Sequence, residues 1–394
     1  MFAKKTSFWL LILGIFIFSA IFLFKVKDEM VDFKVNYEAG KRIKSSDALY
    51  YRIKKEGDYQ HYQFKYPPFS ALLYLPLTYL PLAVAKAIWY LIILLSAGFL
   101  LYTSQRLLNH ERKSSFLLPV LTFFILVKFF LRELQLGQTN ALITSILILM
   151  IWLIARAENP SSFSREIIAG LLWGLSTVLK PYALIFFPYF LIKKKWRTLS
   201  FGILFLVFAF LAPSLFYGIK GNFHTHLEWK SSLSKSTLIL LGSEGNISQD
   251  NISIIAFFMK WTGNLKTSFL LYTAAIIVLA FFLLIIFRKG LKINHASVLD
   301  SSILLILIPL ISPLGWDYTL LSSALGVMIV LHSFYKYTKF WRSILIINFL
   351  VISLSLFNIL GRKLYTSFMS WSIITVNFLI LIVYISYLRL KRHG

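Results

Sequence analysis

The chain has 394 residues, of which 58% are hydrophobic, 17% aromatic and only 14% charged. Soluble domains carry about 25% charged and about 45–50% apolar residues, so this composition excludes an ordinary soluble protein. The apolar residues come in blocks of about 15–25, the length that crosses a bilayer as a helix. They do not alternate with polar residues as membrane barrel strands do. The sequence therefore predicts an all-α, polytopic transmembrane helical bundle.

The formal net charge of +25 does not indicate a nucleic-acid partner. Lysine and arginine cluster in short loops between apolar blocks, where they orient a membrane protein beside anionic lipid headgroups. The chain contains no cysteine, which excludes disulfides, thiolate nucleophiles and thiolate metal ligands. We expect membrane lipids, and no nucleic acid, among its partners.

The first apolar block, Phe8–Phe24, follows a short basic start. No small-residue cleavage site follows it, so it is predicted to be a retained span rather than a signal peptide. The basic start places the N-terminus in the cytoplasm and the next stretch, Lys25–Pro68, outside. This stretch is the longest polar segment of the chain, and it holds seven of the sixteen carboxylates: Asp28, Glu29, Asp32, Glu38, Asp47, Glu56 and Asp58.

Further apolar blocks alternate with basic loops along the rest of the chain. Pro68–Pro81 is too short to span and is predicted to lie at the interface as a helix or to re-enter the membrane, and Ile252–Met259 is predicted to be an interfacial helix in an external loop. The pattern predicts about twelve spans in one integral-membrane domain over residues 1–394, with both termini cytoplasmic. The external loops cover about 25–81 and 218–266. The spans after the first are Leu82–Leu107, Phe116–Leu131, Gly137–Ala155, Ile167–Leu179, Tyr182–Ile192, Leu199–Tyr217, Thr267–Phe287, Val298–Ile311, Thr319–Phe334, Ile344–Leu360 and Phe368–Leu388.

A carboxylate close to the membrane surface is a candidate for acid–base chemistry. Asp32 lies just past the first predicted span, at the depth of a lipid phosphate. A carboxylate there can take the proton of an attacking hydroxyl. Asp28 and Glu29 are alternative candidates for the base. Asp32 has a purely structural alternative, as a solvated loop carboxylate or a helix cap.

Several short motifs occur in a fixed order over roughly residues 30–320. Each is weak alone, but their order and spacing form a recognisable set. The motifs are D-F at Asp32-Phe33 with Tyr37 and Ala39-Gly40, Leu49-Tyr50, F-K-Y-P-P at Phe64–Pro68, L-P at Leu75-Pro76 and Leu80-Pro81, G-Q-T-N at Gly137–Asn140, Gly170–Gly174 before Leu179-Lys180-Pro181, Asn251-Ile252-Ser253, and Ser312-Pro313 with Trp316.

In this order the motifs resemble glycosyltransferase family 87, of the C-type glycosyltransferase superfamily. The resemblance implies a polyprenyl-phosphate donor of a sugar, often mannose or another hexose or pentose. It implies inverting transfer on the outer membrane face to a glycolipid or polysaccharide acceptor, with no cofactor and no catalytic metal. It also implies a catalytic aspartate in the first external loop, here Asp32. Many relatives carry a histidine near Asp317, which leaves that role open between Asp317 and Tyr318.

A lipid-phosphate leaving group requires positive charge, which stabilises the developing phosphate oxygens. Lys180 is the first candidate because a cation between two short apolar blocks needs a cavity or a partner. Arg132 and Lys128 are further candidates. Gln138 and Asn140 are candidates for binding sugar hydroxyls, with interhelical hydrogen bonds as the alternative.

Two aromatic residues and one histidine pair complete the candidates. Tyr66 and Trp316 are predicted either to stack on the sugar or to anchor the chain at the interface. His224 and His226, near Glu228, do not have the ligand spacing of a metal site, and no metal is predicted.

Two other functions remain as alternatives. A lipid-linked sugar transporter or flippase places its polar groups at mid-membrane in broken helices; here only Lys180 and Lys128 are predicted to lie inside spans. A ligase or polymerase of the O-antigen type, with a pyrophosphate-linked donor, concentrates arginines in a late external loop. The stretch 218–266 has none. The expected location is the bacterial inner membrane, with the active site on the periplasmic or extracellular side.

Overall fold

The computed structural model is helical in all of its regular elements, within the part of the chain that it describes. The backbone pairs as an isolated antiparallel bridge between Asn251 and Trp316. The all-α class predicted from the sequence is confirmed. The first predicted span, Phe8–Phe24, lies almost entirely outside the described residues. These are residues 18, 20–50, 63–108, 116–156, 163–241, 247–288 and 296–391.

Two predicted spans in the first half of the chain are broken rather than continuous. Phe116–Leu131 divides at Leu126, and Tyr182–Ile192 begins within the 3₁₀ turn Pro181–Ile185 and becomes α-helical only at Phe186. The helices are α1 Val31–Ser45, α2 Pro68–Tyr74, α3 Leu82–Leu108, α4 Leu117–Ile125, α5 Val127–Leu136, α6 Asn140–Arg156, α7 Phe163–Leu179, α8 Phe186–Ile192 and α9 Trp196–Leu211, with 3₁₀ turns at Leu75–Tyr79 and Pro181–Ile185.

Two sharp bends shape the second half. The chain turns by 93° after Leu211, where Pro213 interrupts the hydrogen-bond ladder, and by 102° after Leu354. The predicted spans Leu199–Tyr217 and Ile344–Leu360 therefore end early. The helices are α10 Ser214–Leu240, α11 Ile254–Thr262, α12 Leu265–Arg288, α13 Ala296–Ile311, α14 Ala324–His332, α15 Lys339–Leu354, α16 Phe357–Ser370 and α17 Ile373–Leu390, with 3₁₀ turns at Asp317–Ser323 and Phe334–Lys336.

Helices α3, α12 and α17 are each long and apolar enough to cross a membrane. Counting each bent pair as one span raises the number to five among the described residues. Shorter apolar helices of 10–17 residues, α6 and α13 among them, occupy four of the other predicted positions. The count of about twelve spans stays a prediction.

The outer surface of α12 shows what surrounds the bundle. Leu270, Val278 and Phe281 on this helix are each more than 60% exposed. Such a continuous apolar surface is stable in contact with lipid tails rather than water. The buried core lies on the inner side, between α3, α6, α13, α14 and α17.

Helix α7 packs closely against α9. Lys180 directly follows the last residue of α7. Gly170 and Gly174 are spaced as G-x-x-x-G and face Gly202 of α9. An added Cβ at Gly170 would collide with the Thr198 carbonyl oxygen. Small residues at this spacing let helix backbones approach closely in membranes. The family-like glycine motif therefore sets how closely α7 packs against α9.

Candidate active site

The position of Asp32 is set by the start of α1. Met30 adopts the left-handed conformation, with φ of 50°, and α1 begins at the next residue. The Lys86 ammonium donates to the carbonyl oxygens of Lys27 and Glu29, at 2.6 Å and 3.0 Å, and fixes the incoming chain. Asp32 lies in the first turn of α1, where the unpaired N–H groups of the helix favour negative charge.

A glycine turn brings Gln138 to Asp32. Gly137, between α5 and α6, has a φ of +69°, and an added Cβ would lie 2.7 Å from the Phe33 Cβ. The Trp89 indole N–H donates to the Gly137 carbonyl oxygen at 3.0 Å. Only glycine fits this turn without strain or displacement of its neighbour. The G-Q-T-N motif therefore folds against the D-F motif.

Gln138 and Lys180 connect directly to Asp32. Gln138 Nε2 donates to Asp32 Oδ2 at 2.6 Å and to the Tyr318 hydroxyl at 3.2 Å. Lys180 Nζ donates to Gln138 Oε1 at 2.9 Å and to Asn140 Oδ1 at 2.7 Å. An ammonium can only donate, so both amide oxygens must face it. The Gln138 amino group is thereby turned toward Asp32.

Glu133 is a buried carboxylate that the sequence analysis missed. Its side chain accepts from Asn140 Nδ2 and from the Ala141 N–H, each at 2.8 Å, and the residue is 0% exposed. The Tyr182 hydroxyl also donates to Asn140 Oδ1, at 2.8 Å. The available signal was a single acidic residue between Glu111 and Glu158, beside an apolar block.

Asp32, Gln138 and Lys180 face a cavity of about 930 Å³, a volume suited to a small-molecule ligand. Its polar wall is accompanied by apolar residues such as Leu184, Leu233 and Ile308. Asn140 is not among the described residues that line it, because its amide is bonded to interior partners. Seven of the eight candidates predicted from the sequence do line it: Asp32, Tyr66, Arg132, Gln138, Lys180, Trp316 and Asp317.

Three cations lie on the cavity wall. Lys180 is 3% exposed, and its Nζ lies 5.0 Å from the centre of the Tyr66 ring. Arg132 donates from Nη1 to Gln135 Oε1 at 2.9 Å. Lys65, the variable position of the F-K-Y-P-P motif, lines the same cavity and was not predicted. Its position inside that motif was the available signal.

A second charged group occupies the cavity wall near Trp316. Lys128 Nζ pairs with Asp317 Oδ2 at 2.8 Å, so the charge of this lysine is already balanced. Asp250 also lines the cavity, and its Oδ1 accepts from the Tyr365 hydroxyl at 3.2 Å. Its backbone carbonyl accepts from the Asp317 N–H at 3.2 Å. Asp250 was missed, although it directly precedes the Asn251-Ile252-Ser253 motif.

The remaining sequence alternatives lie elsewhere. Asp28 is exposed, and neither it nor Glu29 is among the described residues that line the cavity. His224 Nδ1 lies 3.4 Å from Glu228 Oε1, and a ring nitrogen of His226 contacts the Asn222 carbonyl oxygen at 2.9 Å. Within the described ranges, no group of three or more histidine and acidic side chains is placed to hold a metal.

Burial dominates the electrostatics of Asp32. Desolvation raises the pKa of its carboxyl above 3.8, although the Gln138 hydrogen bond and the charges of Lys180, Arg132 and Lys65 oppose the rise. The group therefore binds a proton more readily than an exposed aspartate does. This is the direction expected for a buried carboxylate that acts as a base.

The fold defines an integral-membrane protein whose polar cavity joins a carboxylate to several cations. The chain belongs to glycosyltransferase family 87: the model of this family matches residues 64–313, more than half of the sequence. It is a membrane glycosyltransferase, as the motifs predicted. Asp32 lies upstream of the matched residues.

One solved structure is also similar. The crystal structure of ArnT from Cupriavidus metallidurans in the apo state matches with a TM-score of 0.42 and 12% sequence identity. The match covers 98% of this chain and 78% of the ArnT chain. No curated protein matches the sequence.

Proposed function

We propose that the chain is an inverting glycosyltransferase that moves mannose, or another hexose or pentose, from a polyprenyl-phosphate donor to a glycolipid or polysaccharide acceptor. The observation that carries this is one cavity lined both by Asp32, held by Gln138 at 2.6 Å, and by Lys65, Arg132 and Lys180. A carboxylate suits the acceptor hydroxyl, and cations suit a phosphate leaving group.

The reaction is a single displacement. Asp32 takes the proton of the acceptor hydroxyl as its oxygen attacks the anomeric carbon. The bond from that carbon to the phosphate oxygen breaks, and its electron pair stays on the phosphate. Polyprenyl phosphate leaves with one more negative charge, which Lys180, Arg132 and Lys65 stabilise. One displacement inverts the configuration at the anomeric carbon.

The other cavity residues suit the two substrates. The rings of Tyr66 and Trp316 offer apolar faces to sugars. The ring of Trp316 is nearly parallel to that of Tyr318, at an interplanar angle of 8°. Apolar residues on the same wall, including Leu184 and Ile311, suit the polyprenyl chain. Asp317, which is paired with Lys128, is assigned to positioning the substrate and has no role in stabilising the phosphate charge.

The decisive experiment supplies purified protein with radiolabelled polyprenyl-phosphate sugars and candidate acceptors. We expect transfer from the monophosphate-linked donor and none from a pyrophosphate-linked one. Movement of labelled lipid across a vesicle membrane without any transfer product would indicate the transporter instead. Use of only the pyrophosphate donor would indicate the ligase type.

We place the site on the periplasmic or extracellular side of the bacterial inner membrane, with both termini cytoplasmic. Cysteine labelling tests this cleanly because the native chain has no cysteine. Ser46→Cys and Lys194→Cys are matched probes, since both residues are exposed and have positive φ, 58° and 53°. In intact cells an impermeant maleimide is expected to label position 46 and not 194. The reverse pattern would overturn the orientation.

The pKa of Asp32 gives a pH prediction. A base must be deprotonated, so kcat/KM is expected to fall at acid pH with a midpoint above 3.8, because burial raises this pKa. Arg132→Gln removes one of the charges that lower it, so the midpoint should move to higher pH. Lys44→Gln, an exposed change on α1, the helix of Asp32, is the control. A midpoint that stays in place or moves down in Arg132→Gln would contradict this assignment.

A further inference from the structure

Five polar side chains form one continuous series from the cavity into the protein interior. In order they are a carboxylate, an amide, an ammonium, an amide and a carboxylate: Asp32, Gln138, Lys180, Asn140 and Glu133. Four hydrogen bonds of 2.6, 2.9, 2.7 and 2.8 Å join them. Asp32 lines the cavity, whereas Glu133 is 0% exposed.

The direction of every bond in this series is determined by its members. An ionised carboxylate only accepts and an ammonium only donates, so each amide between them has one possible orientation. Glu133 requires the amino group of Asn140, and this leaves the Asn140 oxygen for Lys180. The Ala141 N–H occupies the other oxygen of Glu133, at 2.8 Å, so the carboxylate cannot turn away.

The two carboxylates differ in what the reaction demands of them. A buried ammonium without a nearby negative charge is costly. Asp32 loses its charge whenever it takes the acceptor proton, and at that moment it no longer balances Lys180. Glu133 is not among the described residues that line the cavity, so it does not meet the acceptor hydroxyl and takes no part in the proton transfer.

We propose that Glu133 is a positioning residue that acts through Asn140: it holds Lys180 in place and balances its charge, so that the third N–H of the ammonium serves the donor phosphate. This role rests on the proposed function. Two of the three N–H bonds are occupied by Gln138 and Asn140, and Lys180 still lines the cavity. Glu133 itself touches neither substrate.

Glu133→Gln is the first test, measured as the Kd for tritiated polyprenyl-phosphate mannose in detergent. The new amide keeps its oxygen on the Ala141 N–H and turns its amino group toward the amino group of Asn140. Asn140 must then flip, and Lys180 loses an acceptor and a countercharge. We expect Kd to rise about 10- to 100-fold, as when a buried donor loses its acceptor. Glu166→Gln, which removes a carboxylate paired with Arg197 at 3.4 Å and not among the described cavity-lining residues, should leave Kd unchanged.

Glu133→Gln combined with Asn140→Asp exchanges the amide and the carboxylate. The amide introduced at position 133 can then donate to the carboxylate introduced at position 140, whose other oxygen accepts from Lys180 and Tyr182. The bond between positions 133 and 140 now runs in the opposite direction, but every donor again faces an acceptor and the net charge is restored, so Kd should return to within about threefold of the wild type. Asn140→Asp alone faces one carboxylate with another and should bind donor poorly.

Kd separates positioning from folding, because misfolded protein lowers the number of binding sites and not their affinity. Equal Kd values for the wild type and Glu133→Gln would overturn the role of Glu133 alone. If that variant does not fold, a double variant that binds no better than Asn140→Asp overturns it. Absence of donor binding by the wild type would instead overturn the proposed donor, and this role with it.

Discussion

Asp32→Asn is expected to lower the transfer rate by about 10²–10⁴-fold, the range for removal of a general base. Asparagine has the same shape, and its oxygen can still accept the Gln138 hydrogen bond, which is 2.6 Å long in the native protein. An amide cannot take the proton of the acceptor hydroxyl. The loss should therefore appear in kcat, with the fold and the cavity preserved.

Donor binding by this variant should be retained or improved. Asp32 is a negative group facing Lys180, Arg132 and Lys65, and all three charges act on it. Removing it makes the cavity more positive, which favours an anionic phosphodiester. Equilibrium binding of labelled donor and single-turnover transfer, measured on the same preparation, separate the two effects.

Two pairs of variants control for the loss of one charge. Asp28→Asn and Glu29→Gln alter neighbours that are not among the described cavity-lining residues, and both should transfer normally. Asp250→Asn and Asp317→Asn alter the other acidic residues on the wall. Near-normal turnover in Asp32→Asn with loss in one of these four would move the base to that residue. Asp250 is the stronger fallback, because Asp317 is already paired with Lys128 at 2.8 Å.

The central contacts of the cavity were predictable because polar residues are rare in this chain. Gln138 lies 106 residues from Asp32 and 42 from Lys180, yet it bonds to both. Each lies beside an apolar block, where a polar side chain needs a partner or a cavity. Periodicity alone did not pair them; the order of the motifs indicated that they share one site.

Other features depend on packing that no local pattern reveals. The prediction that only Lys180 and Lys128 lie inside spans was wrong. Arg389 lies in α17, which is long and apolar enough to span, and its Nε pairs with Asp300 Oδ1 of α13 at 2.8 Å, with Arg389 and Asp300 at most 1% exposed. A single charged residue lowers the mean hydropathy of an apolar block only slightly. Hydropathy therefore identifies the block as a span but does not reveal that two charges from different helices form an ion pair.

The lengths of the spans were the least predictable part. Hydropathy measures how apolar a block is, and a helix that bends by 93° or 102° is as apolar as a straight one. The first bend has a local cause in Pro213, whereas the second has none that the sequence shows. Contacts with neighbouring helices decide whether such a block crosses or turns back.

Lys180→Met is expected to weaken donor binding about 10- to 100-fold, the effect of losing a charged hydrogen bond of about 1.5–3 kcal/mol. Methionine fills the volume but cannot donate. The oxygens of Gln138 and Asn140, which accept from Lys180 at 2.9 Å and 2.7 Å, also lose their donor. The transfer rate should fall as well, because the Gln138 amide is then free to turn away from Asp32.

A control variant at the other predicted membrane face tests whether the effect depends on the position of the lost charge. Lys194→Met removes an exposed lysine and should leave donor saturation curves unchanged. Lys180→Arg should not restore binding, because a planar guanidinium cannot replace a compact ammonium between two amide oxygens. Equal saturation curves for Lys180→Met and Lys194→Met would remove Lys180 from the donor site.

Stability must be separated from binding in this experiment. Removing Lys180 leaves Glu133 buried without its nearby positive charge, and breaking such a buried pair costs about 3–5 kcal/mol. The double variant Lys180→Met with Glu133→Gln removes both charges and should recover much of that stability. Its donor Kd is nevertheless expected to stay at the weakened value, because no ammonium faces the phosphate. Recovery of donor binding together with stability would show that Lys180 supports the fold and not the donor.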